Sequence, residues 1–306
     1  MERMKDFNAD ANHLNMNHVK KAQPKALARA GTTKVFACDS AETGFDYFIF
    51  SESKALTQSI HAALKGNPKF RAELQPRTGT GTGTGTGTEP AYAYYGGTGK
   101  HVVGVRALTS NGRSSKAAAT PEPDPMACET LRQVLESRAE IRCIEHERLL
   151  ALVKTLHAQL NALERTHRQA VPYFGLDDVV VVNDALALFI NDDKLFAVRD
   201  AGTIDVTRAI GRDGAFYPPE LSGGGKPVSL PYTVDARCAY YSFGMLVAYC
   251  ATLNPALVTS ASADGGPRSP LKLKRDVLGP IEGTKLYWFI VRCCAPDAAR
   301  RCMLYV

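Results

Sequence analysis

Apolar positions along the chain change their rhythm near residue 127. Ahead of it, short runs of aromatic and β-branched side chains predict strands. Val35-Phe36-Ala37-Cys38 and Tyr47-Phe48-Ile49-Phe50 are two such runs, and the stretch 39–46 between them, with Gly44, predicts a hairpin with a long loop. Residues 55–64 carry Leu56, Ile60, Ala63 and Leu64 at helical spacing, and Gly66-Asn67-Pro68 stops that helix. Residues 91–95 and 101–108 predict two further strands around Gly96-Gly97-Thr98-Gly99. Behind residue 127 the rhythm turns helical. Residues 129–138 and 145–166 read as helices, the second with Leu149, Leu152, Val153, Leu156, Leu160 and Leu163 along one stripe, closed by Pro172 and Gly175. The four valines 179–182 predict a buried strand, with short strands at 186–190 and 194–198. Residues 234–253 are apolar nearly all round, which predicts a helix through the core, and 285–294 predict a last amphipathic helix.

Between these regimes lie segments with little to bury. Residues 78–88 alternate Thr and Gly without a core-forming side chain, so 77–89 is expected to be a flexible insert. It lacks the Lys-Ser/Thr pair that a phosphate loop needs. Residues 111–126, with Pro-Glu-Pro-Asp-Pro at 121–125, predict a linker. The expected organisation is therefore a loose arm at 1–25, a small β-rich unit at 26–110, the linker, and a large, mostly helical unit at 127–306. The fold class is α+β.

Composition narrows the function. Hydrophobic residues make up 45% and charged residues 22% of the 306, enough for a substantial core. The net charge of +6 is spread out, and tracts such as Lys20-Lys21 and Arg300-Arg301 are short. No basic stripe with interleaved aromatics marks a nucleic-acid surface, so no nucleic-acid partner is expected. The eight cysteines form no CxxC pair, and Cys293, Cys294 and Cys302 have no histidine at zinc-finger spacing. They read as small hydrophobes in a reducing compartment. The first residues hold no apolar signal core, and the longest apolar run, 240–251, is too short to span a bilayer. A cytoplasmic protein without a membrane partner is expected.

Three strings stand in order in the second half. They are Phe216-Tyr217-Pro218-Pro219-Glu220, Ala239-Tyr240-Tyr241-Ser242-Phe243-Gly244-Met245-Leu246, and the run from Leu286-Tyr287-Trp288 through Cys293-Cys294-Ala295-Pro296-Asp297 to Arg300-Arg301. They resemble the Ala-Pro-Glu motif, the "D-x-W-S-x-G-x-x-L" helix and the late "x-D-P-x-x-R" pattern of eukaryotic-like protein kinases. Helix 145–166 resembles the helix ahead of the kinase catalytic loop. The resemblance covers 127–306 string by string and 27–110 by order of elements alone. It implies a bilobal fold, and a bidentate pair between Glu220 and Arg301 that ties distant segments together. It gives Ser242 and Gly244 places in a central helix. The aspartate of that helix is Ala239 here, with Asp235 one turn earlier as a substitute.

Phosphoryl transfer needs a glycine-rich loop, a lysine, metal-holding aspartate and asparagine, and an aspartate that orients the acceptor. Ahead of Val35 the only glycine is Gly31. Phe50 or Ser51 takes the lysine's place, with Lys54 beyond the strand, and the paired glutamate is missing because Glu73 comes too late. Aligned on Leu176, the orienting aspartate falls on Gly175 and the metal asparagine on Val180. Asp177 and Asp178 are off register, and Asn183 fits only after a slip of the loop. Asp200-Ala201-Gly202 resembles "D-F-G", so Asp200 is the one metal candidate. Each sharp reading has a plain counterpart: Asp177 and Asp178 as a turn entering a strand, Asp192-Asp193 as a hairpin turn, Asp200 as a turn residue, His157 and His167 as ordinary helix histidines, and Trp288 as core or surface.

The expectation is a catalytically inactive kinase-like protein, a pseudokinase of the kind that large DNA viruses encode. It would act as a binding or regulatory module on another protein, an active kinase among the candidate partners, with no cofactor. Two alternatives remain. One is an active atypical kinase using ATP and magnesium through Lys54, Asp177 and Asp200. The other is a structural, virion-associated protein on the same scaffold.

Overall fold

The computed structural model describes residues 27–37, 47–66, 92–97, 100–105, 128–137, 144–182, 186–210, 216–221, 229–254, 257, 273 and 275–305. The arm 1–25, the loop 39–46, the insert 77–89, the linker 111–126, and Cys38, Glu73 and Asn183 lie outside the described residues.

The early aromatic runs pair as their pattern predicts. Strands β1 (Ala28–Ala30), β2 (Thr33–Ala37) and β3 (Tyr47–Ser51) precede helix α1 (Lys54–Gly66), and β4 (Tyr92–Gly97) and β5 (Lys100–Val105) complete an antiparallel sheet of order β1-β2-β3-β5-β4. Val35 stands opposite Ile49, and Ile49 opposite Val103, so three fully buried aliphatic side chains stack across the middle strands. Helix α1 turns Leu56, Ile60 and Leu64 into the same core. Its first turn is capped by Ser53 Oγ, which accepts from the Leu56 N–H.

The remaining elements follow in order: β6 (Cys128–Thr130), α2 (Leu131–Ser137), α3 (His146–Asn161) continuing as a π-helical turn Ala162–Thr166, β7 (Gln169–Ala170), β8 (Val179–Val182), β9 (Leu186–Phe189), β10 (Phe196–Ala197), β11 (Thr203–Val206), β12 (Tyr232–Asp235), α4 (Cys238–Thr252) and α5 (Lys285–Cys293). Helices and small antiparallel sheets thus share the chain. The sheets are β6-β8-β9, β7-β10 and β11-β12. One apolar core runs unbroken from Val35 and Ile49 through Leu56 and Leu156 to Phe243 and Phe289. A small second cluster, Ala170, Phe196, Ile204, Val206 and Ala236, serves the two-stranded sheets.

Three boundaries differ from the periodicity reading. Residues 129–138 begin as strand β6, because the all-valine strand β8 needs a partner on its open side and Glu129 and Thr130 pair with Val181 and Val180. Residues 194–198 narrow to β10, which pairs with β7. The helix expected over 234–253 starts at Cys238, since Tyr232-Thr233-Val234 pair with β11 instead. Asp235 therefore lies on a strand, not on the helix. It accepts the Arg237 N–H at 2.9 Å and the Arg237 guanidinium at 2.7 and 2.9 Å, and does not stand in for Ala239. Among the described residues no helix is long and apolar enough to cross a membrane.

Helix α4 is buried on nearly every side, and two small residues let it pack. Ser242 Oγ donates to the Phe216 carbonyl at 2.7 Å, fastening the helix to the segment that leads to Glu220. A Cβ on Gly244 would lie 2.6 Å from Cys294 Sγ and 2.7 Å from Cys293 Cβ, so α5 approaches closer than any other residue permits. The expected pair is present. Arg301 Nη1 donates to Glu220 Oε1, and Arg301 Nη2 to Glu220 Oε2 at 2.8 Å. The guanidinium side chain is fully buried, lies 5.1 Å from the Tyr241 ring centre, and also donates to the Ala295 carbonyl at 2.8 Å. Burial works against ionised Glu220, but hydrogen bonds from Arg301 and Cys238 outweigh it and hold the carboxyl below its ordinary value.

Removing Arg301 strands Glu220 against the core. Arg301→Ala is expected to cost roughly 3–5 kcal/mol, read as a lowered urea midpoint, and an unchanged midpoint would refute the pair's importance. The sign of the pH dependence follows from the depressed Glu220 value. The stabilisation is complete above the ordinary carboxylate range and is lost as pH falls through the folded-state value. Acid titration of wild type should therefore show a stability loss that Glu220→Gln lacks.

Candidate functional site

Polar groups converge where the first sheet meets the turn after β9. The turn is placed from α3. Gln159, fully buried, donates to the Phe189 carbonyl at 2.7 Å and accepts the Phe189 N–H at 2.8 Å, clamping the end of β9 as a third strand would. The chain then makes a 3-10 turn, Asp192–Lys194. Asp192-Asp193 is not a hairpin turn, because β9 pairs with β8 whereas β10 pairs with β7.

Asp178 is the inner anchor. It sits at the end of the 3-10 turn Leu176–Asp178, only 5% exposed. Its Oδ2 accepts the Gly175 N–H at 2.8 Å and Lys194 Nζ at 2.6 Å, and its Oδ1 accepts Asn191 Nδ2 at 2.6 Å. The Lys194 ammonium also lies 4.1 Å from the Tyr173 ring centre. Arg208 holds the turn from the far side, donating to the Asp193 carbonyl at 2.6 and 2.8 Å while lying 4.4 Å from the Phe196 ring centre.

Asp192 is the outer contact, and it reaches the first sheet. Its Oδ1 accepts the Thr32 N–H at 2.8 Å, and its Oδ2 accepts the Thr32 hydroxyl and Ser51 Oγ, the latter at 2.7 Å. Gly31 makes this approach possible. It has φ +60° in the β1–β2 turn, and a Cβ there would overlap Asp192 Oδ1 and lie 3.0 Å from Asn191 Oδ1. The reason for glycine is thus a close contact with protein.

The structure brings Gly31, Ser51, Gly175 and Asp178 to this junction and leaves the other candidates apart. Asp177 points outward into a bidentate pair with Arg132 at 2.8 Å. Asp200 is fully exposed on the turn after β10, 3.1 Å from Arg168. Phe50 packs edge-on against Phe36, 5.4 Å between ring centres. Val180 is wholly buried in β8 opposite Thr130 and Leu188. Lys54 opens α1, exposed. Burial first, and the Lys54 charge second, lower the His101 and His167 values, so Lys54 and these two imidazoles share a neighbourhood. His157 meets the Asn161 amide at 2.8 Å, and Trp288 is exposed against Tyr287. Among the described residues no group of three or more His, Cys, Asp or Glu side chains is arranged to hold a metal.

Sequence reasoning missed Gln159, Asn191 and Lys194. Gln159 carried a signal, a polar residue within the apolar stripe of α3. Asn191 and Lys194 carried none, because loop contacts have no period. Chemically, the junction is self-satisfied. Lys194 is committed to Asp178, Asp192 to Thr32 and Ser51, and Gly175, Val180 and Phe50 offer no functional group. No protein-family model matches the chain, and no curated protein matches it either.

The buried pair predicts a non-additive mutant cycle. Asp178→Asn and Lys194→Met singly should each cost about 3–5 kcal/mol, since each strands the other group. The double variant should fall short of their sum by about 1–3 kcal/mol in urea unfolding. Additive losses would mean that the two groups do not depend on each other.

Proposed function

We propose that this chain is a kinase-like, bilobal binding module without phosphotransfer activity, acting on another protein. The observation that carries the reading is the contact of Thr32 with Asp192. In a kinase arrangement the turn between the first two strands covers the nucleotide phosphates, offering them backbone N–H groups. Here that N–H and the neighbouring hydroxyl are spent on a carboxylate of the protein itself.

Three further features support it. The frame residues that the resemblance names are in use, with Glu220 on Arg301 and Ser242 on Phe216. The positions that should carry charge hold Gly175, Val180 and Phe50, none of which can neutralise phosphate or hold magnesium. Charge stabilisation dominates phosphoryl transfer, so their loss removes most of the rate. Asp200, the remaining metal candidate, points into solvent beside Arg168. A protein with this frame and no chemistry acts through its surface, and an active kinase is one partner that fits.

The test is direct. Addition of magnesium and ATP should leave the melting temperature where it was, and radiolabel from ATP should not pass to a generic protein substrate. Label transfer that disappears in Asp200→Asn or Asp192→Asn would overturn the reading in favour of an atypical active kinase.

A further inference from the structure

The turn that meets Asp192 also carries the marks of a regulated residue. Thr32 is exposed at the tip of the β1–β2 hairpin, and β1 is a three-residue strand at the edge of its sheet. Short edge strands open locally at little cost, which lets a turn residue enter another enzyme's cleft. Arg29 precedes Thr32 by three residues and Lys34 follows by two. Both are exposed, and they stand directly opposite each other in the hairpin. Like charges at opposed positions repel, and an anion on this hairpin would relieve that repulsion. Thr33, the neighbouring hydroxyl residue, is wholly buried.

We propose that Thr32 is a phosphorylation site for a basic-directed serine/threonine kinase acting in trans, and that its modification detaches the β1–β2 turn from Asp192. In the transfer, Thr32 Oγ forms a bond to the γ-phosphorus of a nucleoside triphosphate. The bond from that phosphorus to the bridging oxygen breaks, the diphosphate leaves, and the hydroxyl proton passes to the modifying enzyme's base. Two consequences follow at the junction. The esterified oxygen has no proton to donate to Asp192, and a group of about −1.5 to −2 charge arrives beside that carboxylate. Lys34 is two strand residues away, roughly 7 Å at about 3.3 Å per residue, within reach of a long side chain. The phosphate therefore has cations on its own hairpin to turn to, and Asp192 loses Thr32 while keeping the Ser51 hydroxyl. This inference does not depend on the absence of catalysis in the chain itself.

The experiment uses the full chain, a purified basic-directed kinase and magnesium–ATP, with peptide mapping by mass spectrometry and amide hydrogen exchange. One phosphate is expected on Thr32, with incorporation about tenfold lower in Arg29→Ala, a substitution on an exposed side chain that leaves the core intact. Exchange at the Thr32 amide, bonded to Asp192 in the unmodified protein, should speed by about tenfold or more. No phosphate on Thr32, phosphate on Thr33 instead, or a phosphorylated Thr32 with unchanged amide exchange would each overturn the proposal. Label appearing without added kinase would count against the non-catalytic reading and leave the exchange result to judge this one.

Discussion

A carboxylate with 5% exposure has to be matched inside the protein, and Asp178 is matched from three directions. Lys194 brings the charge, Asn191 an amide and Gly175 a backbone N–H. These groups come from the loop that enters β8 and the loop that leaves β9, two paired strands, and satisfying Asp178 fixes one loop against the other beyond the end of that pairing. Gln159 sets where the second loop begins by clamping Phe189. Asn191 then turns toward Asp178, and Asp192, the next residue, turns toward Thr32 and Ser51. The position of the outer contact is a consequence of the inner one.

The two contacts differ in strength. The inner pair is largely buried, and breaking either half leaves an uncompensated charge worth about 3–5 kcal/mol. The outer contact is a set of hydrogen bonds to a half-buried carboxylate, each worth about 0.5–1.5 kcal/mol net of water, or somewhat more for the charged acceptor. Opening the outer contact therefore need not disturb the inner one. A permanent anchor beside a breakable latch is what a conformational change at the β1–β2 turn requires. Gly31 keeps the latch from being padded out, because any side chain there would collide with Asp192.

The sequence made visible what repeats. Helices α1, α3 and α5 and strands β2, β3 and β8 all announce themselves by period or by apolar run. The Glu220–Arg301 pair was legible because both residues sit in strings with family resemblance. The strand-to-helix boundary at Asp235 was hidden because Tyr232 and Val234 ahead of it and the apolar run from Cys238 behind it fit either element. The junction was hidden for a different reason. Lys194 meets Asp178 sixteen residues away, and Thr32 meets Asp192 across 160, through loops whose spacing carries no periodic trace. Gly31 was noticed as a glycine of a nucleotide loop, and its lack of a side chain makes room for a carboxylate of the same chain.

The residues at the positions that the kinase resemblance would assign to chemistry are themselves held in place by packing. Val180 is wholly buried between Thr130 and Leu188 on neighbouring strands. An asparagine there would bring an amide into a site with no partner, at a cost of about 1–3 kcal/mol, and the core would resist it before any metal could bind. Phe50 lies edge-on against Phe36 and near Phe48, so a lysine in its place would give up aromatic contacts as well as carry a charge onto that face. Gly175 offers its N–H to Asp178, and a side chain at that position would still find Lys194 already engaged. Each substitution toward a reactive group is opposed by a contact that stabilises the fold. At each of these three positions the residue present serves packing or a backbone hydrogen bond.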